Sequence, residues 1–185
     1  MRKSLFSLTI AVGLLGAASA FAYGGNGGGP YDDKPASVAG PITTLFIRSG
    51  NYLDNIQITY GTKPGPAHGA NGGSPNQIQL QSGEYIVKIF GRSGNYVDQI
   101  NFVTNKGRSF GPYGGPGGAP FLEAAPAGKA LVSINGRSGS YVDQINLVWG
   151  PAPAAAPAPV TTPATTPAKP VTPTTPAPTT PAKPK

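Results

Sequence analysis

Three aspartates recur in one short setting. Asp54, Asp98 and Asp143 each close a stretch that opens on glycine, Gly50 to Asp54, Gly94 to Asp98 and Gly139 to Asp143, within the strings RSGNYLDNIQI, RSGNYVDQINF and RSGSYVDQINL. A carboxylate accepts two charge-assisted hydrogen bonds, and a tight turn through the intervening residues aims successive backbone N–H groups at one spot. That pairing suits a small polyhydroxylated ring, whose adjacent hydroxyls meet the acceptor and whose other oxygens meet the donors. The plainer reading is that each aspartate bonds the N–H groups of its own turn. Around each motif stand an arginine (Arg48, Arg92, Arg137), either solvated or paired with loop carbonyls, and a tyrosine (Tyr52, Tyr96, Tyr141), set either against a ligand ring or into the loop rim.

Catalysis finds little support. Cleavage of a glycosidic bond needs two carboxylates flanking it, whereas the repeated aspartates fall one per unit, and Asp32 and Asp33 are adjacent and point to opposite faces if they lie in a strand. There is no cysteine and one histidine, His68, in the loop-like string Gly-Pro-Ala-His-Gly-Ala, so thiolate chemistry and a His-rich metal centre are excluded and His68 is given no role. One carboxylate per loop also falls short of a calcium shell. No cofactor is expected.

The elements that must carry these loops are strands. Residues 23 to 150 hold 25 Gly and 10 Pro, and their apolar residues come in short runs of Ile, Val, Phe, Tyr and Thr with no long helical period. The three strings begin 44 and 45 residues apart, and internal repetition at such a period signals a stacked or symmetric architecture. Apolar runs at Ile42 to Ile47, Ile86 to Phe90 and Leu131 to Ile134 precede them, and period-two runs follow: Ile56, Ile58, Tyr60; Ile100, Phe102, Thr104; Ile145, Leu147, Trp149. Each unit is therefore a hairpin whose loop is Ser-Gly-x-Tyr-x-Asp, and Trp149 points inward. Glycine clusters recur as well, at Tyr23 to Gly29, Asn71 to Ser74 and Tyr113 to Gly118. No single unit can bury its sheet face, so three sheets packed about one axis close the core.

The flanks differ. Residues 1 to 22, MRKSLFSLTIAVGLLGAASAFA, read as a secretory signal peptide cleaved after Ala22 or Ala20. Residues 151 to 185 contain 12 Pro, 9 Ala and 9 Thr and read as a disordered tail, a polyproline II spacer of at most ~110 Å at ~3.1 Å per residue that is open to cell-envelope polymers. Of the formal charge of +7, the leader carries two positive charges and the tail three, and between them nine basic residues meet seven acidic ones. That lacks the basic footprint of a nucleic-acid binder.

Over residues 23 to 150 the order of motifs resembles the jacalin-related lectins, whose fold is the β-prism I. The resemblance rests on the glycine-rich start, GPITTLFIRSGNYLDNIQITYG, IVKIFGRSGNYVDQINFVTNKGRSFGPYGG and FLEAAPAGKALVSINGRSGSYVDQINLVW. It implies an all-β domain of three antiparallel Greek-key sheets with internal pseudo-threefold symmetry, binding glycans without metal or catalysis. It also implies that Asp143 accepts from sugar hydroxyls, that the main chains of Tyr141 and Val142 donate, and that Gly24 and Gly25 donate from the opposite wall. By the same pairing Gly50, Tyr52, Leu53 and Asp54 face Gly72 and Gly73, and Gly94, Tyr96, Val97 and Asp98 face Gly114 and Gly115. In the family, galactose preference goes with a free glycine amino terminus; Tyr23 or Phe21 in first place favours mannose or glucose. A secreted or cell-envelope lectin is thus expected, with a homo-oligomer allowed and an adhesive protein that uses the prism for protein contacts as the rival.

Overall fold

The computed structural model describes residues 18 to 153, with side chains from residue 21. The leader up to residue 17 and the tail from residue 154 lie outside the described residues. Twelve strands form three four-stranded antiparallel sheets. The first sheet has the order β1 (Ala18–Gly24), β12 (Val142–Pro151), β11 (Lys129–Ser138), β2 (Gly29–Asp32). The second runs β5 (Lys63–Gly69), β4 (Leu53–Tyr60), β3 (Ile42–Ser49), β6 (Ser74–Gln79), and the third β10 (Ala119–Ala124), β7 (Ile86–Ser93), β8 (Val97–Thr104), β9 (Ser109–Gly114). A single turn of helix, α1 (Lys34–Ser37), links the first sheet to the second.

The central hairpin of each sheet is one of the repeated strings. Its β-branched and aromatic residues alternate, so one face of each hairpin points at the common axis: Leu45, Ile47, Ile56, Ile58 and Tyr60 from the second sheet, Ile89, Ile100 and Phe102 from the third, Ile134, Ile145, Leu147 and Trp149 from the first, all buried. Each such side chain contributes about 1.5–3 kcal/mol by leaving water. A four-stranded sheet with one apolar face is unstable in isolation, and the three together form a single core.

The seams between sheets carry carboxylates. The last inward residue of each inner strand reaches one: the Tyr60 hydroxyl donates to Asp33 at 2.9 Å, Thr104 to Glu84 at 2.7 Å, and the Trp149 indole N–H to Glu123 at 2.5 Å. Asp33 and His68 are held together at 2.7 Å, and the Tyr31 ring stacks on His68 at 3.8 Å. The expectation that His68 sits in a loop is corrected here: it lies in β5, paired with Ile56, and is buried. Asp32 is exposed while Asp33 is wholly buried.

Candidate functional site

All three hairpin loops lie at one end of the prism and are built alike. In the turn the N–H of the leading glycine donates to the tyrosine carbonyl two residues on, Gly50 to Tyr52 at 3.1 Å, Gly94 to Tyr96 at 2.9 Å and Gly139 to Tyr141 at 2.9 Å. The aspartate that follows is the extra residue of a β-bulge. Ser49 pairs with Leu53 and Arg48 with Asn55, which leaves Asp54 without a partner across the ladder; Asp98 and Asp143 are skipped in the same way, between Val97 and Gln99 and between Val142 and Gln144. A bulge re-aims a side chain, and here it turns the carboxylate onto a glycine loop from the neighbouring outer strand.

The glycines that meet the carboxylate are not all those expected. Asp143 faces Gly27 and Gly28, Asp54 faces Gly72 and Gly73, and Asp98 faces Gly117 and Gly118. A Cβ on Gly27, Gly72 or Gly117 would overlap Oδ1, and one on Gly28, Gly73 or Gly118 would lie 2.5–2.6 Å from Oδ2, at a φ of +58, +59 or +63°. The earlier glycines do something else. The N–H of Gly25 donates to the Asp143 carbonyl at 2.9 Å and that of Gly115 to the Asp98 carbonyl at 2.9 Å, as Ala70 does to the Asp54 carbonyl at 3.0 Å. The pairing of Gly24 and Gly25 with Asp143, and of Gly114 and Gly115 with Asp98, is therefore corrected: these residues support the main chain of the aspartate, and their second-position N–H groups are already spent. Only Gly72 and Gly73 stand where the pairing put them.

The arginines complete the loop. Each guanidinium forks onto the two carbonyls of the carboxylate-facing glycines: Arg48 onto Gly72 and Gly73 at 2.7 and 2.9 Å, Arg92 onto Gly117 and Gly118 at 2.8 and 2.6 Å, Arg137 onto Gly27 and Gly28 at 2.8 and 2.7 Å. Because a trans peptide holds N–H opposite C=O, this fork turns the following N–H groups away from the arginine. Sequence reasoning missed Gly27, Gly28, Gly117 and Gly118. A signal was present, since Gly24, Gly69 and Gly114, like Gly28, Gly73 and Gly118, recur every 45 residues.

The electrostatics are unusual. Asp54, Asp98 and Asp143 are only 5–6% exposed, and Oδ2 of each is enclosed without a hydrogen-bond partner in the protein. A buried acceptor left unmet costs about 1–3 kcal/mol, more when charged. Tyr52, Tyr96 and Tyr141 meet on the axis with ring centroids 5.1, 5.1 and 5.2 Å apart, in tilted and edge-to-face contact. They pack on one another at the rim, and the Gly115 N–H also donates to the carbonyl of Asn51 in the adjacent hairpin at 3.2 Å, so the three loops abut.

The Jacalin-like lectin domain family matches residues 21–148. Griffithsin of Griffithsia sp. (strain Q66D336) is 45% identical over 94 residues, covering 50% of this chain and 66% of that protein. Zymogen granule membrane protein 16 of Rattus norvegicus is 38% identical over 93 residues, covering 50% of this chain and 55% of the rat protein, so the chain spans about half to two-thirds of these relatives. Among solved structures, the wild-type Malaysian banana lectin superposes with a TM-score of 0.63 at 31% identity, over 74% of this chain and 99% of that one. A mannose-binding jacalin-related lectin of Ananas comosus gives 0.61 at 31% identity, over 72% and 96%.

Proposed function

The chain belongs to the jacalin-like lectin domain family, and on that premise we propose that it is an exported glycan-binding protein, not an enzyme, whose three bulge aspartates each receive one mannose- or glucose-type ring. The observation that carries this is the threefold recurrence, at one end of the prism, of a bulge aspartate whose carboxylate is set against a glycine pair with an arginine fork behind it. In this reading two adjacent hydroxyls of a pyranose donate to the carboxylate of Asp54, Asp98 or Asp143. Main-chain N–H groups at Tyr52 and Leu53, Tyr96 and Val97, and Tyr141 and Val142 meet the ring and exocyclic oxygens. The leader read over residues 1 to 22 supports export, and the Pro/Ala/Thr-rich tail supports tethering at a cell envelope.

A glycan array followed by titration calorimetry with mannose tests the proposal. Losing a charged acceptor costs about 1.5–3 kcal/mol at its site, roughly 10- to 150-fold in affinity. Asp143→Ala is expected to remove one mannose equivalent, and the triple change at Asp54, Asp98 and Asp143 to abolish binding while the fold survives. A triple variant that binds mannose like the parent would place the site elsewhere. An array silent to all glycans would favour the adhesive reading, in which the loops are turns.

A further inference from the structure

The end of the prism away from the hairpin loops is where β3 and β7 begin, at Ile42 and Ile86, and where β12 ends, at Pro151. Two hollows open there. The first, of about 270 Å³, lies between Ile42, Tyr85, Ile86 and Leu131 and is edged by Pro151 and Pro153. The second, of about 340 Å³, is lined by the buried Ile42, Leu80 and Glu84 and by the exposed Gln79, Gln81 and Ser82. The chain crosses from one hollow to the other. Pro151 borders the first, the Ala152 N–H donates to the Gly128 carbonyl at 3.0 Å, and Pro153 borders both. Ala152 and Pro153 are half-buried, so the chain leaves Pro153 against the surface and directed at the second hollow. The composition changes a little further on. Residues 151 to 160 are Pro, Ala and Val alone, whereas all nine Thr and all three Lys of the tail lie at 161 or beyond.

From this path and this break in composition we propose that residues 154 to 160 run on as an extended strap in the second hollow, so that the tail is docked at its root and becomes a free spacer only from Thr161. The small apolar side chains of Ala154, Ala155 and Ala156 cover Ile42 and Leu80, which removes apolar surface from water. Pro157 and Pro159 fix their own φ in advance, and ordering them therefore loses less entropy than ordering a freer chain. A polyproline II segment makes no internal hydrogen bonds, so its carbonyls need donors from outside. The rim supplies them. Gln79 Oε1 accepts from the Thr44 hydroxyl at 2.9 Å and Gln81 Oε1 from the Lys106 ammonium at 3.3 Å, which leaves the amide nitrogen of each to donate. The strap is already tethered at Pro153, and a short tether sets an effective concentration in the mM range, enough for a contact too small to hold a free peptide. Docking holds or fails independently of what the hairpin loops bind. Its consequence is polarity: a tail fixed at its root on the pole opposite the loops turns them away from whatever the tail is attached to.

Amide NMR tests the strap with three proteins: the chain with its whole tail, a chain ending at Pro153, and the whole chain bearing Ala155→Asp and Ala158→Asp, which sets two charges in the strap and leaves the prism untouched. In the whole chain the amides of Ala154, Ala155, Ala156, Ala158 and Val160 are expected to have order parameters above about 0.6, falling below that value from Thr161 onward. The amides from Gln79 to Glu84 are expected to shift relative to the chain ending at Pro153. The double aspartate variant is expected to lose both the order and the shifts, with mannose titration the same for all three proteins. Order that is already lost at Ala154, hollow amides that do not move, or aspartates without effect would each overturn the proposal. Shifts that fade on dilution would mean that the tail of a second copy fills the hollow, and would overturn it as well.

Discussion

The geometry of each hairpin loop depends on three residue choices that act together. The bulge turns the aspartate inward, the glycine pair leaves room for its carboxylate, and the arginine fork fixes the carbonyls of that pair. Gly28 shows the dependence most directly: at φ +58° its Cβ would meet the Ser138 carbonyl carbon and Asp143 Oδ2, whereas a Cβ on Gly29 meets nothing within 4 Å. Gly28→Ala is therefore expected to cost more than ~1 kcal/mol in stability, the ordinary penalty for a side chain at a glycine conformation, and to remove one mannose equivalent in calorimetry. Gly29→Ala is expected to change neither, and equal behaviour of the two variants would refute the assignment of the facing pair. The aspartates were readable from the sequence because a short string repeated three times marks them. The facing glycines were not, because the first and third clusters each offer two glycine pairs and the string alone does not say which pair meets the carboxylate.

At the level of elements, the strands followed from alternation and β-branching, and the hairpins from the repeat. The seams did not follow. Asp33, Glu84 and Glu123 lie 27, 20 and 26 residues before the inner-strand donors they meet, with no common spacing to reveal the pattern. His68 sits behind Pro64 and Pro66 in a stretch that reads as loop, yet an edge strand tolerates proline, and the stretch is β5. Glu84 gives a test of what a seam contributes. Burial pushes its carboxyl upward, but hydrogen bonds from the Gln81 N–H, the Thr104 hydroxyl and the Arg108 guanidinium outweigh this and hold it below the ordinary glutamate value. A lowered folded-state value means that the stabilisation is complete above the ordinary value, about 4.3, and is lost as pH falls through the folded-state one. Glu84→Gln is expected to lose about 1–3 kcal/mol at pH 7, and the deficit is expected to shrink steadily as the pH is lowered below the ordinary glutamate value, read from urea midpoints along an acid series. A deficit independent of pH would mean that Glu84 acts by packing alone.

Across the whole molecule, pseudo-threefold symmetry gathers the three hairpin loops at one end, with the tyrosine rings of all three meeting on the axis. Hydrogen bonds to a sugar largely replace hydrogen bonds to water, so each proposed site alone is expected to be weak. Once one arm of a branched glycan is held, its other arms search a small volume at an effective concentration in the mM range, and avidity rises by about 10²–10⁴ without any new contact. On the proposed function the arrangement is expected to favour branched oligomannose over free mannose far beyond the ratio of their mannose content. Asp143→Ala is expected to separate the two effects: affinity for free mannose at the remaining sites stays as it was, while affinity for the branched ligand falls by at least tenfold because one linked contact is gone. Competition against a mannan-coated surface, with free mannose and a branched oligomannoside as inhibitors of parent and variant, reads both quantities in one assay. Inhibition that scales only with total mannose in the parent would mean that the three sites act separately, and the symmetry would then have no part in recognition.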